Sequence, residues 1–251
     1  MTRRRLDAEL VRRGLAPSRE RAQADIAAGR VLVGGAPAAK ASRLVEPAEA
    51  LELVGPPPRF VGRGGLKLDV ALDRFDLQVA GRRALDAGAS TGGFTDALLQ
   101  RDAAQVVAVD VGYGQLHERL RGDPRVVNLE RTNVRNLTVD EIGGPVDVVV
   151  ADLSFVSLRA VLPSLLALAR PGADLVLLVK PQFEAGRAEA ARGKGVIRDP
   201  DVQARTLTEV KAAALSQGAA TMGEMVSPIT GADGNVEFLL WLWGPEHPPI
   251  P

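Results

Sequence analysis

The sequence predicts an α/β fold with a mostly parallel sheet over residues 66–251, preceded by a small α+β domain at 1–55 and a linker at 56–65. Three observations carry that expectation. The apolar runs RALDAGA, QVVAVDV, VDVVVADL and ADLVLLVK alternate with helix-patterned segments, as strands buried on both faces of a parallel sheet do. A glycine-rich turn follows the first run directly. The composition also breaks at GPPPRFVGRGG, where three prolines and then glycines read as a stiff connection followed by a flexible loop.

Taken in order, residues 3–13 set Leu6, Leu10 and Val11 on one helical face, with Gly14 as the stop and Pro17 beyond it. Ser18 caps a second helix, SRERAQADIAA, in which Ala22 and Ile26 lie one turn apart and Gly29 stands at the C-terminal end. RVLVGG alternates as a strand and turns at Gly34-Gly35, and short strand pieces follow as far as LELV at 51–54. Beyond the linker come the four runs, the helix TGGFTDALLQR after the first of them, and a last strand expected in NVEFLLWLW.

The balance of 31 cations against 31 acids gives no overall argument for nucleic acid, so only local clustering can make one. Clustering exists at the front. The first thirty residues hold eight arginines and no lysine against four acids, and guanidinium is the group that forks onto phosphate. The absence of cysteine excludes disulfides and thiolate chemistry, and the two histidines, His117 and His247, stand far apart, so no metal is expected. Neither a membrane-length apolar run nor a signal-peptide core is visible, which leads us to expect a cytoplasmic protein.

Asp86-Ala87-Gly88-Ala89-Ser90-Thr91-Gly92-Gly93-Phe94 turns from strand to helix, where backbone N–H groups are free and a ligand can come close. Its spacing is not G-x-G-x-x-G, which disfavours a dinucleotide and an NAD-dependent oxidoreductase. Asp110, at the end of the second run, can bind both hydroxyls of a ribose. Asp152 and Lys180 end two further runs, so in a parallel sheet both emerge at the edge that carries the glycine turn, either as a strand-end ion pair or as catalytic groups. A lysine closing an apolar strand is partly desolvated, which makes it a candidate proton acceptor. Lys67 in GRGGLKLDVAL reads as an ordinary amphipathic-helix lysine. Glu237, inside the last apolar run, is costly unless a cation meets it, and that cation is Lys67 or Lys180.

The order Lys67, glycine turn, Asp152, Lys180, Glu237 resembles the Lys-Asp-Lys-Glu tetrad of the FtsJ-like ribose 2′-O-methyltransferases. More narrowly, LDAGASTGGFTDALL, DVGYGQL, ERTNVRNL, ADLSFVSL, LVKPQFEAGR and SPITGADGNVEFLLWL are similar to the TlyA family of bacterial cytidine 2′-O-methyltransferases, which also carries the name haemolysin A. RRLDAELVRRGLAPSRERAQADIAAGRVLVGG is similar to an S4 RNA-binding domain. The resemblance implies a Rossmann-like methyltransferase domain, S-adenosyl-L-methionine as cofactor, and ribosomal RNA in ribosomal subunits as partner of a monomeric enzyme that needs neither membrane nor metal. It implies Lys180 as base or orienter of the ribose 2′-hydroxyl, with Asp152 holding it and Lys67 and Glu237 completing the network. The cofactor would meet Gly88, Ser90, Thr91, Gly92, Gly93, Phe94, Asp110 and Asn133, and the RNA would meet Arg3, Arg4, Arg19, Arg21 and Arg63. Phe94 and Asn133 depart from the wider FtsJ pattern, where many members have tryptophan and aspartate. Two other classes compete: an RNA-binding assembly factor without catalysis, against which the intact glycines and tetrad argue, and a membrane-lytic protein, for which the sequence offers no mechanism.

Overall fold

The structure, a computed structural model, describes residues 3–56, 58–193, 195–231 and 233–246. The chain divides into two compact units, Met1–Arg59 and Phe60–Pro251. Phe60–Gly65, which the sequence reading put in the linker, therefore belongs to the second unit. The reason is local: Phe60 is buried in that unit's core, and a helix begins at Gly64. Pro57 of the linker lies outside the described residues.

In the first unit, β1 (Arg4–Arg5) pairs antiparallel with β4 (Leu44–Val45), and β2 (Val31–Val33) pairs with both β3 (Ala36–Pro37) and β5 (Leu51–Leu53). Helices α1 (Leu6–Arg12) and α2 (Arg19–Ala27) bring Leu6, Leu10, Ala22 and Ile26 onto Val31, Val33 and Val45, a core small enough to depend on every member. Ser18 caps α2 by accepting from the Arg21 N–H at 3.2 Å.

The second unit is a sheet of seven strands among the described residues, in the order β11-β12-β10-β9-β6-β7-β8. Its strands are β6 (Arg83–Ala87), β7 (Gln105–Val109), β8 (Val126–Leu129), β9 (Val146–Ala151), β10 (Ala169–Val179), β11 (Ala220–Val226) and β12 (Phe238–Trp243). β8 through β10 run parallel, while β12 is antiparallel to both its neighbours. Helices α3 (Gly64–Arg74), α4 (Gly93–Gln100) and α5 (Glu118–Arg121) belong to one apolar layer; α6 (Leu158–Leu168) and α9 (Pro200–Ser216) belong to the layer on the other face. Two short helices, α7 (Pro181–Glu184) and α8 (Arg187–Arg192), follow β10.

Several boundaries differ from the sequence reading. β9 and β10 stop at Ala151 and Val179, so Asp152 and Lys180 stand just past the strand ends, and Pro181 opens α7. β12 begins at Phe238, which leaves Glu237 before the strand rather than inside it. β8 and β11 carried no apolar run because they are the two sheet edges, half-buried or exposed along their length.

Candidate active site

The chain runs from β6 outward through β7 and β8 on one side and from β9 through β10 on the other, so the strand order reverses between β6 and β9. Ligands of open α/β sheets bind in the crevice beyond the strand ends at such a switch point. Here the two strands are stitched past their ends: the Asp152 N–H donates to the Ala87 carbonyl at 3.0 Å. Gly88 has φ +86°, and a Cβ there would stand 2.6 Å from the Asp152 carbonyl oxygen, so only glycine allows this approach.

Two ion pairs stand at this edge. Lys180 Nζ lies 2.5 Å from Asp152 Oδ1, and Lys67 Nζ lies 2.5 Å from Glu237 Oε2. Of the two cations the sequence offered Glu237, Lys67 is therefore the one that meets it. Both members of that pair are buried, as is Lys180, while Asp152 is partly open. Lys180 Nζ also donates to Ser154 Oγ at 3.0 Å and stands 5.8 Å from the centre of the Phe183 ring, within cation–π reach. All four tetrad side chains line one cavity of about 390 Å³, with Arg63, Thr91, Gly93, Phe94, Ser154 and Asn235 among their neighbours.

A second cavity, of about 550 Å³, opens on the other side of a shared wall made by Ser90, Asp152, Ser154 and Phe155. Gly88, Asp110 and Asn133 line it with the apolar Val111, Val134 and Leu153. Asp110 accepts from the Ser90 N–H at 2.8 Å and the Gly112 N–H at 2.7 Å, which fixes its carboxylate at the cavity edge. Asn133 is half spoken for: its Oδ1 accepts from the Arg135 N–H at 3.1 Å and caps a short 3₁₀ turn, leaving its amide donors. The expected cofactor residues thus divide. Gly88, Asp110 and Asn133 line the second cavity, Thr91, Gly93 and Phe94 the first, and Ser90 both. Gly92 is in neither lining; it has φ +95° and packs against Leu116 and Leu120, so its place is in the turn itself.

Asp86 is fully buried beneath this turn. Thr95 Oγ1 donates to its Oδ2 at 2.6 Å, and Oδ1 has no hydrogen-bond partner among the described residues. Burial pushes its carboxyl up to about 7, Thr95 opposes that, and the nearby negative charges of Asp152 and Asp110 add to it.

The arginines of the first unit are less free than their count suggested. Arg3 pairs with Glu46, Arg19 with Asp7 and Arg21 with Asp25, so of the four among the five expected RNA contacts that lie in this unit, only Arg4 makes no ion pair among the described residues. Asp7 and Glu9 are buried on α1 and draw several of these cations. The Arg5 guanidinium, joined by Gln23 and Arg19, holds the Asp7 carboxyl well below the usual range; Arg12 and Arg13 lower that of Glu9 to about 2. Arg63 is in the second unit, at the start of α3.

Sequence reading missed Ser154, Phe155, Phe183 and Asn235 as site residues. Their only local signal was proximity in sequence to Asp152, Lys180 and Glu237.

Comparison with known proteins decides the family. Residues 60–243 match the FtsJ-like methyltransferase model, and residues 4–51 match the S4 domain model. The chain belongs to the FtsJ-like methyltransferase family. Within that family it is 55% identical, over 96% of this chain and 90% of the relative, to the 16S/23S rRNA (cytidine-2′-O)-methyltransferase TlyA of Mycobacterium tuberculosis. It is 36% identical to hemolysin A of Brachyspira hyodysenteriae, over 94% of this chain and 98% of the relative. A solved structure of a hemolysin-named protein from Streptococcus thermophilus superimposes with a TM-score of 0.78 at 39% identity, covering 99% of this chain and 90% of that one. As an FtsJ-like methyltransferase, the chain uses S-adenosylmethionine as methyl donor. The second cavity fits that cofactor: the close approach at Gly88 leaves room at the strand ends, a fixed carboxylate can take the ribose diol, and apolar side chains can flank a purine. No helix among the described residues is long and apolar enough to cross a membrane.

Proposed function

We propose that this chain transfers a methyl group from S-adenosylmethionine to the 2′-hydroxyl of a cytidine in ribosomal RNA, acting as a monomer on ribosomal subunits in the cytoplasm. The observation that carries the reading is the convergence of both ion pairs on one cavity that shares a wall with the glycine-turn cavity. The TlyA relative's name supplies the cytidine ribose and the ribosomal RNA.

Gly88, Asp110 and Asn133 would hold the adenosyl part, and Ser90 at the shared wall would border the rest. When bound there, the cofactor supplies an electrophilic methyl on a sulfonium centre. Lys180, anchored by Asp152, meets the 2′-oxygen of a ribose in the first cavity. Its ammonium N–H groups orient that oxygen, and as the new O–C bond forms and the methyl–sulfonium bond breaks, the hydroxyl proton leaves to water. Lys67 and Glu237 neutralise each other beside it, so a second lysine shapes the cavity without adding net charge. Alignment supplies most of the acceleration, and the hydrogen bond that the Lys180 ammonium gives the reacting oxygen contributes on the order of 10²- to 10³-fold. No step calls for a metal.

Lys180→Ala tests the reading. Tritium transfer from labelled S-adenosylmethionine to ribosomal subunits should be lost while cofactor binding is retained; turnover near that of the unmodified enzyme would refute the assignment. Mass spectrometry of ribosomal RNA from cells with and without the protein identifies the base and the position.

A further inference from the structure

A lysine ammonium has three N–H bonds, and the structure accounts for two of those on Lys180. One meets Asp152 Oδ1 at 2.5 Å and another meets Ser154 Oγ at 3.0 Å. Held by a single acceptor, an ammonium can swivel about that contact; held by two, it has its third N–H fixed in direction. With the Lys180 side chain only 10% exposed, water has little access to take over the missing hold.

Ser154 is placed for this by its loop. It follows Asp152 by two residues, and the next residue, Phe155, has φ +64°, a left-handed backbone that an aromatic residue rarely adopts. The Phe155 ring then meets the Phe183 ring with centroids 5.2 Å apart. Phe183 lies three residues beyond Lys180, so the loop after β9 and the segment after β10 are clasped at two points, one polar and one aromatic. Ser154 also lines both cavities, at the wall through which a methyl group would pass.

We infer that Ser154 is a positioning residue for methyl transfer: its hydroxyl oxygen is the second hold on Lys180 Nζ and leaves one N–H directed at the ribose 2′-oxygen. The inference rests on the reading of Lys180 as the group that meets that oxygen. It makes Ser154 a fifth member of the centre, acting through Lys180.

The test compares Ser154→Ala, Ser154→Thr and Lys180→Ala in full-chain enzyme acting on ribosomal subunits, with S-adenosylmethionine binding measured by calorimetry. Ser154→Ala should lower kcat by roughly 10- to 100-fold, the size expected of a misaligned reacting group. The KM for subunits and the affinity for S-adenosylmethionine should stay within about twofold, which separates alignment from uniform binding. Ser154→Thr, which keeps the hydroxyl, should recover most of the rate. Full kcat in Ser154→Ala, a loss confined to KM, or an equal loss in Ser154→Thr overturns the assignment. If Lys180→Ala itself turns over normally, the reading of Lys180 fails and takes the inference with it. If Lys180→Ala is inactive and Ser154→Ala is not, only the role of Ser154 fails.

Discussion

Glu237 can occupy its place because residue 231 has no side chain. A Cβ on Gly231 would stand 2.6 Å from Glu237 Oε1, too close for the carboxylate to stay where Lys67 meets it. Gly231→Ala should lower kcat by about tenfold or more while cofactor affinity holds, a split that methyl-transfer kinetics beside calorimetry will reveal. Asp86 yields a prediction of the opposite kind. Its folded-state carboxyl titrates near 7, above the ordinary 3.8, so its contribution to stability is fully present below about pH 4 and is lost as pH rises through 7. Asp86→Asn keeps an acceptor for Thr95 and removes the buried charge. Melting temperatures of the two proteins should therefore diverge in favour of the variant between pH 5 and 8; a constant difference across that range would contradict the assignment. Asp152 and Lys180 were legible in the sequence because each directly follows an apolar run that forms a strand. The expense of burying Glu237 announced a cation, but the choice between Lys67 and Lys180 depends on where α3 comes to rest; Gly231 left no local trace and Ser154 only its nearness to Asp152, because their contacts are made in space.

At the scale of elements, α6 shows how one segment is anchored by another. Glu184, at the end of α7, is almost wholly buried and accepts from the Leu158 N–H at 2.6 Å and from Ser157 Oγ at 2.5 Å, with Arg159 beside it. A carboxylate at a helix N-terminus takes up otherwise orphaned N–H groups and faces the favourable end of the helix dipole. Glu184→Ala should cost about 1–3 kcal/mol in urea unfolding, and because α7 directly follows Lys180 the same variant should lose turnover. None of this was legible beforehand. The strands were, through their apolar runs, and the turn at Gly88 was, through its glycines. The edge strands β8 and β11 escaped notice because an edge needs no double-sided apolar pattern, and the cap on α6 because its partner is 26 residues distant.

For the whole molecule, the even count of charges conceals two different uses of arginine. In the first unit, buried Asp7, Glu9 and Asp25 each hold at least two guanidinium groups, so those cations build the fold before they can meet phosphate. Of the expected RNA contacts in this unit, Arg3 pairs only with exposed Glu46, and Arg4 makes no ion pair among the described residues. Replacing Arg4 alone with alanine should leave the melting temperature unchanged and reduce the salt slope of subunit binding by about one. Replacing Arg19, by contrast, should lower both stability and binding, since it withdraws a partner from buried Asp7. The division into a front module and a methyltransferase module could be read from the prolines and the change of pattern, whereas the reach of the second module back to Phe60 depended on a packing contact.

Lys67 and Glu237 are separated by 170 positions along the chain, yet their charges meet within a buried pair. Because β12 lies between β10 and β11 and follows Glu237 directly, the carboxylate arrives only when the last strand inserts. A ribosome making this enzyme must therefore have passed β12 before the centre can exist. A product cut short ahead of Glu237 would leave the Lys67 ammonium without its carboxylate and the sheet without β12, and so would be inert as well as unstable. The centre is thereby tied to the whole sheet: a copy without Glu237 and β12 lacks both the carboxylate and the strand that follows it.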